Sequence, residues 1–226
     1  MKNVLITGAG RGIGLALVNE FVQNDYKVIG TYREASSAQQ LLKMAKENPA
    51  VSAVVADVRD SSTLTELAAD LKKWGELDIL VNNSGVIGDR GRSLSELDPE
   101  KLDDVLQVNT FGPIRICQLA VPYMKTGIIA QVSSLMGSIA DNASGGYYDY
   151  RISKAALNMF NRCLSKEFPK ITCLALHPGW VQTDMGGAGA VVTVADCAKG
   201  LFKVITTAKP KQSGHFLDYQ GNELPW

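Results

Sequence analysis

Tyr150 and Lys154 stand four residues apart in Tyr150-Arg151-Ile152-Ser153-Lys154. On a helix that spacing puts both side chains on one face. A phenol titrates near ~10 in water, high for proton transfer at neutral pH. An ammonium beside it would stabilise the phenolate and lower that value. Such a pair is equipped to hand a proton to an oxygen that is gaining electrons. Tyr147 and Tyr148 lie close by, but the residues four beyond them are Arg151 and Ile152, so Tyr150 is the one with a lysine partner. The plain alternative is an amphipathic helix with an ordinary tyrosine and an exposed lysine.

A second chemical feature lies near the N-terminus. Thr7-Gly8-Ala9-Gly10-Arg11-Gly12-Ile13-Gly14 follows the apolar run Val4-Leu5-Ile6. Glycines permit a tight turn and let the backbone approach a phosphate. The first N–H groups of the helix behind them, with its positive dipole end, suit an anion. Glycine turns also join strands to helices with no ligand. This one opens a repeating strand–helix series, which is where a dinucleotide needs it.

Both features need a scaffold, and the periodicity supplies one. Short apolar runs at 4–7, 27–31, 51–56, 78–81, 127–133, 171–176 and 215–218 read as strands. Amphipathic stretches at 11–24, 36–47, 61–74, 99–124, 147–168 and 193–207 read as helices, with Pro99 as a first helical residue after Asp98. Alternation at this rhythm predicts an α/β fold: a single doubly wound Rossmann-type domain, residues 1–226, with a mainly parallel sheet. Ligands of such sheets bind beyond the carboxyl ends of the strands.

Composition narrows the function. The chain of 226 residues carries 23 Lys and Arg against 23 Asp and Glu, so it lacks the basic excess of a nucleic-acid binder. No apolar run at the start is long enough for a signal core or a membrane span. Cys117, Cys163, Cys173 and Cys197 form no CxxC pair, and His177 and His215 stand apart, which suits reduced thiols and no metal site. A cytoplasmic protein without nucleic-acid or membrane partners is expected.

The motifs together resemble the short-chain dehydrogenase/reductase family. Gly8, Gly12 and Gly14 match its glycine turn, and Asn82-Asn83-Ser84-Gly85 resembles its Asn-Asn-Ala-Gly with Ser84 for alanine. Asn109 falls where the family keeps an asparagine, Ser133-Ser134 ends a strand, Tyr150 and Lys154 fit Tyr-x-x-x-Lys, and Pro178-Gly179 follows the sixth strand. The matches span nearly the whole chain in the family's order. The stretches at 147–154, 177–185 and 216–219 are similar to carbonyl reductases of the sniffer and C-factor kind.

This resemblance implies an NADP(H)-dependent oxidoreductase acting on a small carbonyl or alcohol. It implies Tyr150 as proton donor, its pKa lowered by Lys154 and an oxidised nicotinamide, and Lys154 also reaching the nicotinamide ribose. Ser134 would hold the substrate oxygen, and Asn109 would shape its helix and hold a water. Ser133 stays open in place of Ser134, because the segment before Tyr150 is longer than usual, with extra residues at 141–146. Cofactor contacts are expected from Gly8, Gly10, Arg11, Gly12, Ile13, Gly14, Asp57, Val58, Asn83, Ser84, Gly85, Pro178, Gly179, Val181 and Thr183; Asp57 could instead cap the helix at 61. An acid that would favour NAD is missing after the second strand until Glu34, while Arg33 and Arg11 could bind a 2′-phosphate. Residues 186–190 read as a brief mobile lid, and a homodimer is implied. The competing reading is a signalling or nucleotide-sensing protein that keeps this fold without turnover.

Overall fold

Along β1 (Asn3–Ile6) alternate side chains enter two separate cores: Val4 and Ile6 on one face of the sheet, Leu5 on the other, all fully buried. The same period of two divides Val28 from Ile29 in β2 (Lys27–Tyr32), and Ile79 and Val81 from Leu80 in β4 (Ile79–Asn82). A strand buried on both faces reads as an unbroken apolar run, which is why these segments stand out in the sequence. In the computed structural model, which describes residues 1–90 and 93–226, they join β3 (Val51–Val55), β5 (Gly127–Val132), β6 (Ile171–His177) and β7 (His215–Asp218). The seven strands run in the order β3-β2-β1-β4-β5-β6-β7, and every neighbouring pair is parallel.

One core packs under α1 (Gly12–Gln23), α2 (Gln39–Glu47) and α7 (Val194–Thr206), through Leu17, Phe21, Leu41 and Leu201. Phe21, Tyr26 and Phe202 meet edge-to-face there, with ring centroids between 5.0 and 6.1 Å apart. The other core lies under α3 (Leu64–Trp74), α5 (Gly112–Ala120) and α6 (Tyr148–Glu167), through Leu67, Leu71, Ile116 and Leu164. Cys117, Cys173 and Cys197 are buried free thiols, and Cys163 is exposed. No helix among the described residues is long and apolar enough to cross a membrane.

The single helix expected over 99–124 is broken. α4 (Pro99–Leu106) begins as expected, with the Asp98 side chain accepting the Glu100 N–H at 3.0 Å. The chain then widens into a π-helical turn over Gln107–Phe111 before α5 and a closing 3-10 turn over Val121–Tyr123. Pro113 supplies the reason. It has no N–H for the carbonyl of Asn109, four residues back, and its ring would crowd that carbonyl in a regular helix. The widening therefore sits at Asn109.

β1 lies between β2 and β4, so the chain winds outward from β1 to β3 and resumes at β4 on the other side. Loops that leave β1 and β4 in opposite senses open a crevice between them.

Candidate active site

The glycine turn is shaped by what packs behind it. A Cβ on Gly14 would fall 2.2 Å from the Gly8 carbonyl oxygen and 2.6 Å from Asn83 Nδ2, so only glycine lets α1 start this close to β1. Asn83 Nδ2 donates to the carbonyls of Thr7 and Gly8 at 3.0 and 3.1 Å, and Thr7 Oγ1 accepts the N–H groups of Asn83 and Ser84 at 3.0 and 3.1 Å. The turns after β1 and β4 are thereby locked together. α1 has neither a side-chain cap nor an acid in its first turn, so the positive end of its dipole faces the crevice unneutralised.

That crevice is a cleft of about 780 Å³. Its lining includes Gly8, Gly10, Arg11, Gly12, Ile13, Arg33, Asp57, Val58, Asn83, Ser84, Gly85, Tyr150, Lys154, Pro178 and Thr183, all singled out in the sequence. Gly14, Gly179 and Val181 lie behind the lining. Gly14 seats α1, a Cβ on Gly179 would crowd Val192 and Tyr219, and buried Val181 bridges to Val192. Glu34, noted in the sequence as the acid after the second strand, also lines the cleft, and sequence reasoning passed over Tyr32, Ser37, Val86, Gln182 and Asp184 in the lining. The rule that ligands lie beyond strand ends could have found Tyr32, Ser37 and Val86, since Tyr32 ends β2 and the other two follow β2 and β4.

At the inner end Ser134, Tyr150 and Lys154 come together. α6 carries Tyr150 and Lys154 on its buried face, with Lys154 Nζ 5.7 Å from the centre of the Tyr150 ring. The Tyr150 hydroxyl is hydrogen-bonded to Ser134, whose Oγ also accepts the Met136 N–H at 3.2 Å. Ser133, the serine of the pair that lines the cleft, donates to Asn158 Oδ1 at 2.6 Å. Asn109 is buried in the π-helical turn: its Oδ1 accepts the Val86 N–H at 2.9 Å, and its Nδ2 donates to the Val86 carbonyl at 2.8 Å and to Ser153 Oγ at 3.0 Å. The asparagine thus fastens the β4 loop to α6.

The electrostatics differ from the sequence expectation in one respect. Burial pushes the Tyr150 hydroxyl above its usual value, and the Ser134 hydrogen bond only partly opposes this. Lys154 Nζ donates to the Val132 carbonyl at 2.9 Å, and burial pulls the ammonium itself down to about 8. The protein alone therefore holds Tyr150 as a neutral acid.

At the outer end Arg33 pairs with Glu34, Nη2 to Oε1 at 2.9 Å, so the acid after β2 partly neutralises its neighbour. Arg11 pairs with Asp184 across the cleft mouth rather than standing free beside Arg33. Asp57 accepts from Arg59, which holds its carboxyl below the usual range, and the cap at residue 61 belongs to Asp60, which accepts the Ser62 N–H at 2.9 Å.

The segment expected as a loose lid is fastened. Trp180 Nε1 donates to the Gly186 carbonyl at 2.8 Å, the Gly187 N–H reaches the Thr183 carbonyl at 3.0 Å, and a Cβ on Gly186 would fall 1.9 Å from the Val181 carbonyl oxygen. Its glycines answer a packing demand. Trp180→Ala should speed hydrogen exchange at Gly187 by about tenfold, the loss of roughly one hydrogen bond's worth of protection. Equal exchange in both proteins would show that Trp180 does not hold the turn.

A crevice at the switch point of a doubly wound sheet is where dinucleotides bind. A buried phenol and ammonium at its inner end add acid–base capacity, and together they mark a dinucleotide-dependent oxidoreductase. The chain belongs to the short-chain dehydrogenase family, whose pattern matches residues 2–190. It is 43% identical to C-signal of Myxococcus xanthus over 157 residues, 67% of this chain and 94% of that protein. Among solved structures it is similar to the carbonyl reductase Sniffer of D. melanogaster, with TM-score 0.95 and 33% identity over all of both chains. The NADPH-bound carbonyl reductase from chicken fatty liver gives TM-score 0.93 and 34% identity over 100% of this chain and 99% of that one.

Proposed function

We propose that the protein is an NADPH-dependent carbonyl reductase. The observation that carries this reading is the buried Ser134–Tyr150–Lys154 cluster, whose Tyr150 and Lys154 line a cleft that begins at the glycine turn and whose Ser134 bonds Tyr150. The cleft fits a dinucleotide: the uncapped α1 N-terminus suits a diphosphate, and Arg33 at the outer end suits a ribose phosphate. When bound, reduced nicotinamide supplies the hydride.

The residues of the chain supply the rest. Ser134 holds the carbonyl oxygen and donates to the charge that develops on it. Tyr150 Oη gives that oxygen its proton as the carbon is reduced, yielding the alcohol. Lys154 binds the nicotinamide ribose and steadies the phenolate left behind. Asn109 fixes the β4 loop and α6 against each other. A Tyr150 kept protonated by burial suits reduction better than oxidation near neutral pH. The pair of carbonyl reductases among the structural relatives supports the same direction.

We place the enzyme in the cytoplasm as a homodimer. Ile152 and Met159, seven residues apart on α6, are exposed apolar side chains that a second copy would cover, and sedimentation of the purified protein tests this.

The unmodified protein should prefer NADPH over NADH by at least about tenfold in kcat/KM, about 1.4 kcal/mol. Arg33→Ala should raise KM for NADPH and barely change that for NADH, since the lost bonds are to the phosphate. A steady-state comparison with a reactive diketone measures both, and equal efficiency with the two cofactors in the unmodified protein would remove Arg33 from this role.

A further inference from the structure

The turn that carries Ser134 is held from the side by a residue the mechanism does not use. His177 ends β6, and its Nδ1 accepts the N–H of Leu135, the residue after Ser134, at 3.2 Å. An N–H can only donate, so Nδ1 must be the unprotonated nitrogen and the neutral ring carries its proton on Nε2. From α6, Arg151 Nη1 and Asn158 Nδ2 reach the carbonyls of Met136 and Gly137 at 3.4 and 3.3 Å, and the other bonds of the turn are local or lie before Ser134. Ser134 Oγ accepts from Met136 N, the Gly137 N–H reaches the Ser134 carbonyl at 2.8 Å, and Ser133 is tied to Asn158. His177 is thus the link between β6 and the residue that follows Ser134.

We propose that His177 is a positioning residue: its neutral imidazole holds Leu135, and so sets where Ser134 meets the substrate oxygen. Protonation would put an Nδ1–H against the Leu135 N–H, two donors facing each other, and release the turn. Two acids face the ring. Asp218 of β7 is its neighbour in the sheet register, with a carboxylate already accepting from Gln220 and Asn222; Asp141 lies in the loop before α6. Burial lowers the His177 pKa and outweighs the pull of these two carboxylates in the other direction. The folded protein therefore resists protonation, and the link fails only as pH falls below the ordinary histidine value of about 6.5.

The link itself does not depend on turnover; its effect on rate rests on the proposed role of Ser134. Hydrogen exchange measured on the whole protein separates the two. In the unmodified protein, Leu135 should lose about tenfold of its protection, corrected for intrinsic rates, between about pH 7 and pH 5. The Ser133 N–H, bonded to the Leu176 carbonyl at 2.7 Å, serves as the reference that should hold. His177→Asn keeps an acceptor near the Nδ1 position and cannot titrate, so its Leu135 protection should be flat with pH. His177→Phe has no acceptor and should expose Leu135 at both pH values. With a diketone and NADPH at pH 7, His177→Phe should lower kcat about tenfold with KM for NADPH within about twofold, and His177→Asn should restore kcat. Leu135 protection that ignores both pH and His177→Phe overturns the link. Lost protection with unchanged kcat overturns the positioning role. A pH-dependent Leu135 in a protein that reduces no carbonyl keeps the link and rejects the reductase reading. The comparison in unmodified protein stands even if His177→Phe fails to fold.

Discussion

Tyr150→Phe should lower turnover by about 10²–10⁴-fold and leave the dissociation constant for NADPH within about twofold. The substitution removes one oxygen from a buried ring and nothing else. Ser134 keeps its bond from Met136 and Lys154 keeps its bond to the Val132 carbonyl, so the site stays assembled. What disappears is a hydroxyl that bonds Ser134, in a residue that lines the cleft and shares its helix face with a lysine. Because burial raises the Tyr150 pKa, the phenol stays protonated through neutral pH and is ready to give its proton. The reductive rate of the unmodified enzyme should therefore be flat around neutrality, whereas alcohol oxidation, which needs the phenolate, should rise with pH. Single-turnover rates at saturating NADPH, beside cofactor fluorescence titrations, test this. A variant that keeps a tenth of the rate would take the acid role from Tyr150.

How much of the structure is legible in the sequence depends on how local each cause is. β1, β2 and β4 are apolar on both faces, so each announces itself within a few residues. The Tyr150–Lys154 pair is equally local, since one helix fixes its geometry. The broken helix at 107–111 was hidden because apolar spacing continues through it; the cue was Pro113, which acts on Asn109 four residues earlier. Gly186 and its neighbours suggested mobility from composition, but what they pack against, Val181 and Trp180, is an arrangement no spacing rule contains. The partners of Arg11 and Arg33 were out of reach for a related reason. Asp184 is far from Arg11 in sequence, and whether Glu34 turns toward Arg33 is a side-chain choice. The depth of Tyr150 was out of reach as well, because a neighbouring charge can be inferred from spacing, whereas burial cannot.

Lys154→Met should cut turnover about 10²-fold or more and yet not weaken the fold at pH 7. The ammonium of Lys154 is buried, and its pKa falls to about 8 from 10.5. The folded chain thus binds fewer protons than the unfolded chain between those values, and the unmodified protein gains stability as pH rises through that window. Below pH 8 the full penalty of burying the charge is present, on the order of 3 kcal/mol at 1.36 kcal/mol per unit. Met removes this penalty and fills similar space. Against it, the Val132 carbonyl loses the donor at 2.9 Å, an unpaired buried group that costs about 1–3 kcal/mol. At pH 7 the two nearly cancel or favour the variant. Near pH 10 the penalty has largely gone from the unmodified protein and the unpaired carbonyl remains, so the variant should then be the less stable. Urea unfolding at both pH values reads the difference. A larger loss of stability at pH 7 than near pH 10 would mean the fold welcomes the ammonium, contrary to its burial. Turnover should fall about 10²-fold or more at either pH, because nothing is left to steady the phenolate. In the unmodified enzyme the reductive rate should decline above about pH 8, where Lys154 loses its charge. One residue would then set both the basic limit of the activity and the rise of stability beyond it.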